Sequence, residues 1–318
     1  MQKMTLKHTV RTRRFIHEHY DNCSLCGRKF IEWETTHLGY TMSHKLIYVG
    51  NCCSKQLKET IIRHKYQKRY YSIPEPKSIL WRFMDFTKFV SLLKEKALYF
   101  SRADMFMDPF EGAKGLLKNK AKWDKQYLNF FIDAIKTAPG EKEKERNDQN
   151  ILMDAKRLLN QINSIGKNSI KNTYINCWHE NPYESEAMWK LYTSNLNQGI
   201  AIKTSYHRLY CSLNKDPDIA IGRINYIDMS NKLTGVNDSF WFKRIAFEHE
   251  KEVRAIIYDH DSKVYGKLIP VNLNILIDKI YLSPTSEDWY KSLVDDVMKK
   301  YNFNKKIMIS DIKATPFY

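Results

Sequence analysis

The segment FEHEKEVRAII, from Phe247 to Ile257, ends like a buried strand yet carries three acids, a histidine, a lysine and an arginine. Such a strand can be buried only if its charges meet partners, because an unpaired buried charge is strongly destabilising. Two further blocks share this character: FSRADMFMDPFEG from Phe100 to Gly112, and CWHENPYESEAMWKLY from Cys177 to Tyr192. A fold of this chain must bring these charges together, or turn them toward a site.

A length of 318 residues suits one large domain or two of ordinary size, and 43% hydrophobic residues suffice for a packed core. No apolar run approaches the roughly 18 to 20 residues that cross a bilayer, so no membrane partner is expected. The N-terminal MQKMTLKHTVRTRRF is basic but has no following apolar stretch. It does not read as a secretory signal, and a cytoplasmic location is expected. The net charge is +16, and residues 1–77 hold 15 Lys and Arg against 6 Asp and Glu. A concentrated basic region is the footprint of a polyanion binder, so nucleic acid is the expected partner. The plainer alternative is a generally lysine-rich composition.

The expected organisation is a basic N-terminal module over residues 1–71, a linker at 72–78, and a larger domain at 79–318. In the module, SKQLKETIIRHKYQKRYY places Leu57, Ile61, Ile62 and Tyr66 at helical spacing, which predicts a helix. The linker SIPEPKS holds two prolines, which cannot continue a helix. Beyond it, ILWRF reads as a strand, DFTKFVSLLKEK as a helix capped by Asp85, and ALYFSR as a second strand. Residues 115–170 look mainly helical, broken by the surface loop TAPGEKEKERNDQN. Short strands then dominate, from YINCWH through KIYLSP, with one late amphipathic helix, EDWYKSLVDDVMKKYN. Early helices and late strands predict an α+β fold with a mostly antiparallel sheet, rather than a doubly wound parallel one.

Cys23 and Cys26 form a CxxCG turn that presents two thiolates, and Cys52-Cys53 follows 25 residues later. This predicts a structural zinc site. Adjacent cysteines diverge, so one of Cys52 and Cys53 is expected to ligate, with His37 or His44 as the fourth ligand. The run CSLCGRKF…LIYVGNCCSKQL resembles treble-clef zinc ribbons, in which the second pair opens a helix; that resemblance favours Cys53. The expected ligand set is therefore Cys23, Cys26, His37 and Cys53. Disulfides are disfavoured in a cytoplasmic chain that also has lone Cys177 and Cys211.

In Asp108-Pro109-Phe110-Glu111-Gly112, Pro109 fixes φ and Gly112 permits an exit open to few other residues. The two acids are either turn formers or site carboxylates. Arg82, between Trp81 and Phe83, lies on a solvated strand face or clamps a phosphate or carboxylate. Trp189 and Tyr192 share a helix face, as core or as the wall of a pocket for a flat ring. Strand alternation places Glu250, Glu252 and Arg254 together, as a salt-bridge ladder or as a pocket wall.

Taken together, Arg82, Phe100–Gly112, Cys177–Tyr192, the strand Gly199–Lys203 and Glu250–Arg254 resemble the bacterial family catalogued as domain of unknown function twenty-nine seventy-one. Met107 departs from the asparagine that the family commonly carries before Asp-Pro. The order of elements is similar to that of ADP-ribosyltransferases, which split an antiparallel sheet around a cleft. That likeness implies NAD as substrate, with Arg82 on its phosphates and Tyr192 or Trp189 stacked on nicotinamide. Glu252 or Glu250 would hold the ribose hydroxyls and stabilise the oxocarbenium-like state. Ser101, Asp108, Glu111 and Arg254 join the candidate cofactor-binding residues.

A second expectation is a Mg²⁺-dependent nuclease using Asp108, Glu111, Glu250 and Glu252, since Mg²⁺ takes oxygen ligands. A third is a non-catalytic nucleic-acid-binding protein whose acids are structural pairs. There is no GxGxxG, P-loop, GxSxG or HExxH, which disfavours Rossmann, ATPase, α/β-hydrolase and zincin chemistry.

Overall fold

The two cysteine pairs bracket a hairpin of β1 (Thr35–Tyr40) and β2 (Leu46–Gly50), paired antiparallel from Thr36 opposite Gly50 to Tyr40 opposite Leu46. In the computed structural model of the protein, the described residues are 22–31, 34–44, 46–65, 71–137, 147–214, 216, 218–235, 238–261 and 263–318. The basic lead-in, and most of the charged loop expected after residue 137, lie outside them.

The helix predicted after Cys53 does not form over residues 54–65, and the rest of that stretch, including Tyr66, lies outside the described residues. A short 3-10 turn, Ser54–Gln56, leads instead into β3 (Glu59–Lys65), which pairs antiparallel with β1. The physical reason is twofold. Thr60, Ile61 and Ile62 are β-branched and favour an extended backbone. The free edge of β1 also offers them a ladder, reached at Gly39, where a Cβ would collide with the Glu59 carbonyl.

Residues 71–78 are docked rather than free. Tyr71 stacks on Trp241 with ring centroids 3.9 Å apart, and Ser72 bridges Arg223. Arg223 donates to the Ile73 carbonyl at 3.0 Å and holds the Glu180 carboxylate. The larger domain then opens with β4 (Ile79–Asp85), α1 (Phe86–Glu95) and β5 (Ala97–Arg102). Helix α1 docks through Phe89, Leu92 and Leu93, spaced as one helical face. Asp85 precedes α1 but does not cap it; its carboxylate accepts from the Ser194 amide and hydroxyl at 2.6 and 2.9 Å.

Next come α2 (Lys120–Thr137), α3 (Asp148–Asn172) and β6 (Thr173–Glu180). They are followed by α4 (Glu186–Tyr192), β7 (Gly199–Ser205), α5 (Tyr206–Ser212), β8 (Ile219–Arg223) and β9 (Asn225–Ile227). The chain continues through β10 (Phe242–Arg244), β11 (Glu252–Tyr258), β12 (Gly266–Pro270) and α6 (Leu273–Leu276). It ends with β13 (Lys279–Leu282), α7 (Asp288–Lys300) and β14 (Ile307–Ile309).

Nine of these strands form one sheet, antiparallel except where β13 meets β14. Strand β6 organises it. One edge pairs with β11 from Thr173 to His179. The other pairs with β5 at Tyr174 and Ile175, then with β4 at His179 and Glu180. Between those two partners the sheet is split. Two side chains bridge the gap: Asn176 donates to the Tyr99 carbonyl at 2.8 Å, and Arg82 donates to the Cys177 carbonyl at 3.0 Å. The α+β class with a split, mostly antiparallel sheet is therefore the architecture observed. One face of the sheet is covered by α1, α5 and α7 through Phe89, Leu209 and Val294. On the other, Trp81 and Phe83 pack against Met188 and Trp189 of α4.

Candidate functional site

The charges that the sequence sets among apolar residues meet one another in the fold. Arg254 of β11 is 0% exposed and lies opposite Cys177 of β6. Its Nε donates to Glu252 at 2.7 Å, and its two terminal nitrogens hold the Glu111 carboxylate, one contact being 2.8 Å. It also donates to the Phe240 carbonyl at 2.9 Å. A guanidinium supplies five donors in one plane, which suits this several-sided grip.

The Asp108–Gly112 turn places Glu111 there. Asp108 Oδ1 accepts from the Phe110 amide at 3.0 Å, and Gly112 sits at φ +71, with the Phe240 ring where a Cβ would lie. Arg244 binds Asp108 at 2.8 Å while lying over the Phe110 ring at 4.4 Å. Met107 is fully exposed and adds no polar contact to this turn.

Glu250 does not lie on the strand as alternation suggested. It ends a 3-10 segment, Ile245–Glu250, and Lys251 turns the chain at φ +39 before β11 begins. Glu250 still joins Glu252, because the Lys243 ammonium binds both, with Glu252 Oε2 at 3.3 Å. The Glu252 amide donates to the Tyr226 hydroxyl at 2.8 Å.

These contacts set the charge states. Burial opposes ionisation of Glu252, yet Arg254 and Lys243 outweigh it and hold its carboxyl well below the usual range. Burial wins at Glu111, whose carboxyl is pushed up despite Arg254. The Cys177 thiol is pushed up by burial and by the Glu252 charge. Burial also lowers His179, which is 3% exposed, with Nδ1 2.6 Å from the Glu250 carbonyl. A neutral imidazole therefore donates there through Nδ1.

Arg82 stands apart from these pairs. Among the described residues no carboxylate lies within ion-pair distance of it. Its guanidinium contacts the Cys177 carbonyl and lies 5.8 Å from the centre of the Trp178 ring. Burial depresses its pKa, opposed by Cys177 and Tyr192. Two residues link it to the glutamates. Burial and the Glu252 charge push the Cys177 thiol up, and burial and the Glu250 charge push the Tyr192 hydroxyl up.

Sequence alone overstated some candidates. Trp189 is 0% exposed, packed on Phe83 and against Gly199, so it cannot stack on a ligand; Tyr192 is 40% exposed and can. Arg254 and Glu111 are fully engaged with each other and with Glu252. Ser101 makes only a 3.5 Å contact to the neighbouring carbonyl of Arg102. The Mg²⁺ reading finds Asp108, Glu111, Glu250 and Glu252 each already neutralised by Arg244, Arg254 or Lys243, which leaves no free carboxylate set for a cation. Lys243 was missed. Its signal was stoichiometric, since three acids around one arginine require another cation.

In the N-terminal module, the sulfurs of Cys23, Cys26, Cys52 and Cys53 all lie within 4.8 Å of one another, close enough to hold one metal ion. Cys26 and Cys52 are 3.6 Å apart, near the roughly 3.8 Å edge of a tetrahedron with metal–sulfur bonds of about 2.3 Å. Both adjacent cysteines join because the chain turns through a 3-10 segment here instead of a helix. Gly27 closes the first turn at φ +70, its amide donating to the Cys23 carbonyl at 2.8 Å; the Cys53 amide closes the second on Gly50 at 3.1 Å. His37, the ligand expected from the sequence, is not part of this cluster, and its Nε2 lies 2.8 Å from Asn51 Oδ1. Arg28 grips Glu34 at 2.8 and 3.0 Å, and its pKa is raised chiefly by Glu34 and also by Cys52, which puts positive charge near the thiols.

No protein-family model matches the chain, and no curated protein does. The resemblance to the domain-of-unknown-function family therefore rests on its spaced motifs alone. Among solved structures, Thermus sp. 2.9 DarT in complex with NAD+ aligns at 8% identity with a TM-score of 0.35, covering 77% of this chain and 100% of that chain. The same protein in complex with ADP-ribosylated ssDNA aligns at 10% identity with a TM-score of 0.34, covering 78% and 100%. Likeness this slight fixes neither a shared fold nor a shared activity. Among the described residues, no helix is long and apolar enough to cross a membrane.

Proposed function

We infer that the split in the sheet is the substrate cleft of an NAD-consuming ADP-ribosyltransferase, and that the basic N-terminal module delivers it to nucleic acid. The observation that carries this is Arg82, a cation with no described acidic partner, whose neighbours Cys177 and Tyr192 also feel the charges of Glu252 and Glu250. An unpaired guanidinium suits a diphosphate, which it binds in a planar fork. Tyr192, exposed beside it, offers its ring to nicotinamide. Glu252, kept ionised by Arg254 and Lys243, serves as an acceptor for ribose hydroxyls and as a negative charge near C1′. It is unsuited to donate a proton.

In that reaction the bond between C1′ and the nicotinamide nitrogen breaks, and its electron pair leaves with nicotinamide. An oxocarbenium-like ribose remains, stabilised by the Glu252 charge. A nucleophilic atom of the nucleic acid then gives its electron pair to C1′ and loses a proton. Ribose hydroxyls would replace the longer of the Glu252 contacts, that to Lys243.

The four-cysteine cluster fits structural zinc, since four thiolates close a tetrahedron and leave no open position. One zinc per chain is expected by elemental analysis, and its removal should expose the amides of β1, β2 and β3 to hydrogen exchange. Unchanged protection in metal-free protein would contradict this role. Nucleic-acid contact would come from exposed Lys29, Lys55, Lys58 and Arg63 together with the basic lead-in. Affinity for single strands should then fall with salt at about 0.7 log units per phosphate contact per decade. Salt-independent binding would rule out a phosphate-led interface.

The deciding assay incubates the full chain with NAD labelled in the nicotinamide ring, with and without single-stranded DNA or RNA. Nicotinamide release with ADP-ribose transferred to the strand is expected. Mg²⁺-dependent cleavage without NAD would establish a nuclease instead. Binding without either reaction would leave a non-catalytic protein, a reading favoured by how completely Glu111, Arg254 and Glu252 satisfy one another.

A further inference from the structure

A second cavity lies apart from the ion cluster, between the α2–α3 helical pair and the chain that leaves the Asp108–Gly112 turn. Its volume is about 310 Å³, within the range of small-molecule sites. The walls are mostly apolar, formed in part by Trp123, Leu116, Ile170 and Leu233. Lys114, Lys120 and Lys167 line it as well, and no acidic residue does among those described.

Lys114 is the informative residue. Its ammonium lies 4.3 Å from the centre of the Trp123 ring and donates to the Ile162 carbonyl at 3.2 Å. It lies against α3 where residue 166 is glycine, and a Cβ there would fall 2.6 Å from the ammonium. An ammonium has three donors, so this arrangement leaves two N–H groups for something else. Lys120 has Asp124 as its own partner, whereas no described carboxylate lies within ion-pair distance of Lys114. A cation half-buried among apolar walls without a counter-charge is the poorly compensated state that an incoming anion relieves. Consistent with that, burial lowers the Lys114 pKa, with Lys120 adding to the effect and Asp124 opposing it.

We propose that this cavity binds a small amphiphilic anion, an apolar or aromatic body carrying one carboxylate or phosphate, with the anionic end on Lys114. The body would pack against Ile170 and Leu233, and the rim lysines would exclude cationic analogues. The site does not depend on the transferase reading. It does adjoin it, because Gly112 lines the cavity and follows Glu111, the partner of Arg254.

The test uses the full chain and two fluorescent probes of similar shape: anionic 8-anilinonaphthalene-1-sulfonate and uncharged N-phenyl-1-naphthylamine. Saturable one-site binding of the anionic probe is expected. Lys114→Met should weaken it about tenfold or more, the loss of one charge-assisted contact, while the neutral probe is unaffected. Lys114→Gln keeps a donor for the Ile162 carbonyl and should behave alike, which guards against a folding defect in the methionine variant. Ile170→Trp, which fills the cavity, should weaken both probes. Decanoate and decyl phosphate should displace the anionic probe, their relative potency showing which head group is preferred, and decanol should not. Equal affinity of wild type and both Lys114 variants for the anionic probe, or equal displacement by decanol, would overturn the proposal.

Discussion

Replacing Glu111 with alanine is expected to destabilise the protein by about 3–5 kcal/mol, the range for removing one partner of a buried ion pair. Glu111 supplies both of its oxygens to Arg254, and the guanidinium has no route to water. Truncation would leave Arg254 with Glu252 and the Phe240 carbonyl only, and would open space behind the Gly112 turn. At about 2–4 °C per kcal/mol for a chain of this size class, the melting temperature should fall on the order of 10 °C. Glu111→Gln should cost less, because the amide keeps the side chain's shape and its carbonyl oxygen still accepts from Arg254. Asp108→Ala should be milder still, since its partner Arg244 keeps 36% exposure and water can replace the contact. Thermal unfolding followed by circular dichroism measures all three. An alanine variant at position 111 that melts with wild type would show that the triad is not the structural keel described here.

Glu252→Gln should have the largest effect on turnover. The variant keeps the size of the side chain but removes the negative charge from beside the proposed C1′ position. Loss of one preorganised electrostatic group lowers kcat by about 10²–10³. Arg254 and Lys243 hold the wild-type carboxyl ionised at neutral pH. Protonation of Glu252 should therefore not limit the reaction between pH 8 and mildly acidic pH. Because the substitution also leaves Arg254 and Lys243 under-compensated, its folded fraction must be measured alongside. Tyr192→Ala provides the independent check: the residue is substantially exposed, so stability should change little while KM for NAD rises.

Much of this arrangement was legible in residue order. Apolar and β-branched alternation in VRAIIY fixed β11, and the Pro109 and Gly112 constraints fixed a turn that carries Glu111 inward. What was not legible depended on partners distant in sequence. The spacing of Leu57, Ile61 and Ile62 suits a helix as well as a strand, and the open edge of β1 at Gly39 decided between them. Trp189 and Tyr192 share a helix face by spacing, yet Phe83 and Gly199 bury one and leave the other exposed. Lys243 could not be placed because it rides on β10, a three-residue strand paired, among the described residues, only with β9. Cys52 joined Cys53 because a 3-10 turn replaced the anticipated helix, bringing both thiols to one side.

An NAD site formed by Arg82, Tyr192 and the Glu250–Glu252 pair is tested most directly by nicotinamide release from NAD in the presence of single-stranded nucleic acid, comparing wild type with Glu252→Gln at matched folded fraction. Release by wild type is expected, with a fall of about 100-fold or more in the variant and NAD affinity much less affected. No release by wild type with either DNA or RNA, or equal release by both proteins, would contradict it.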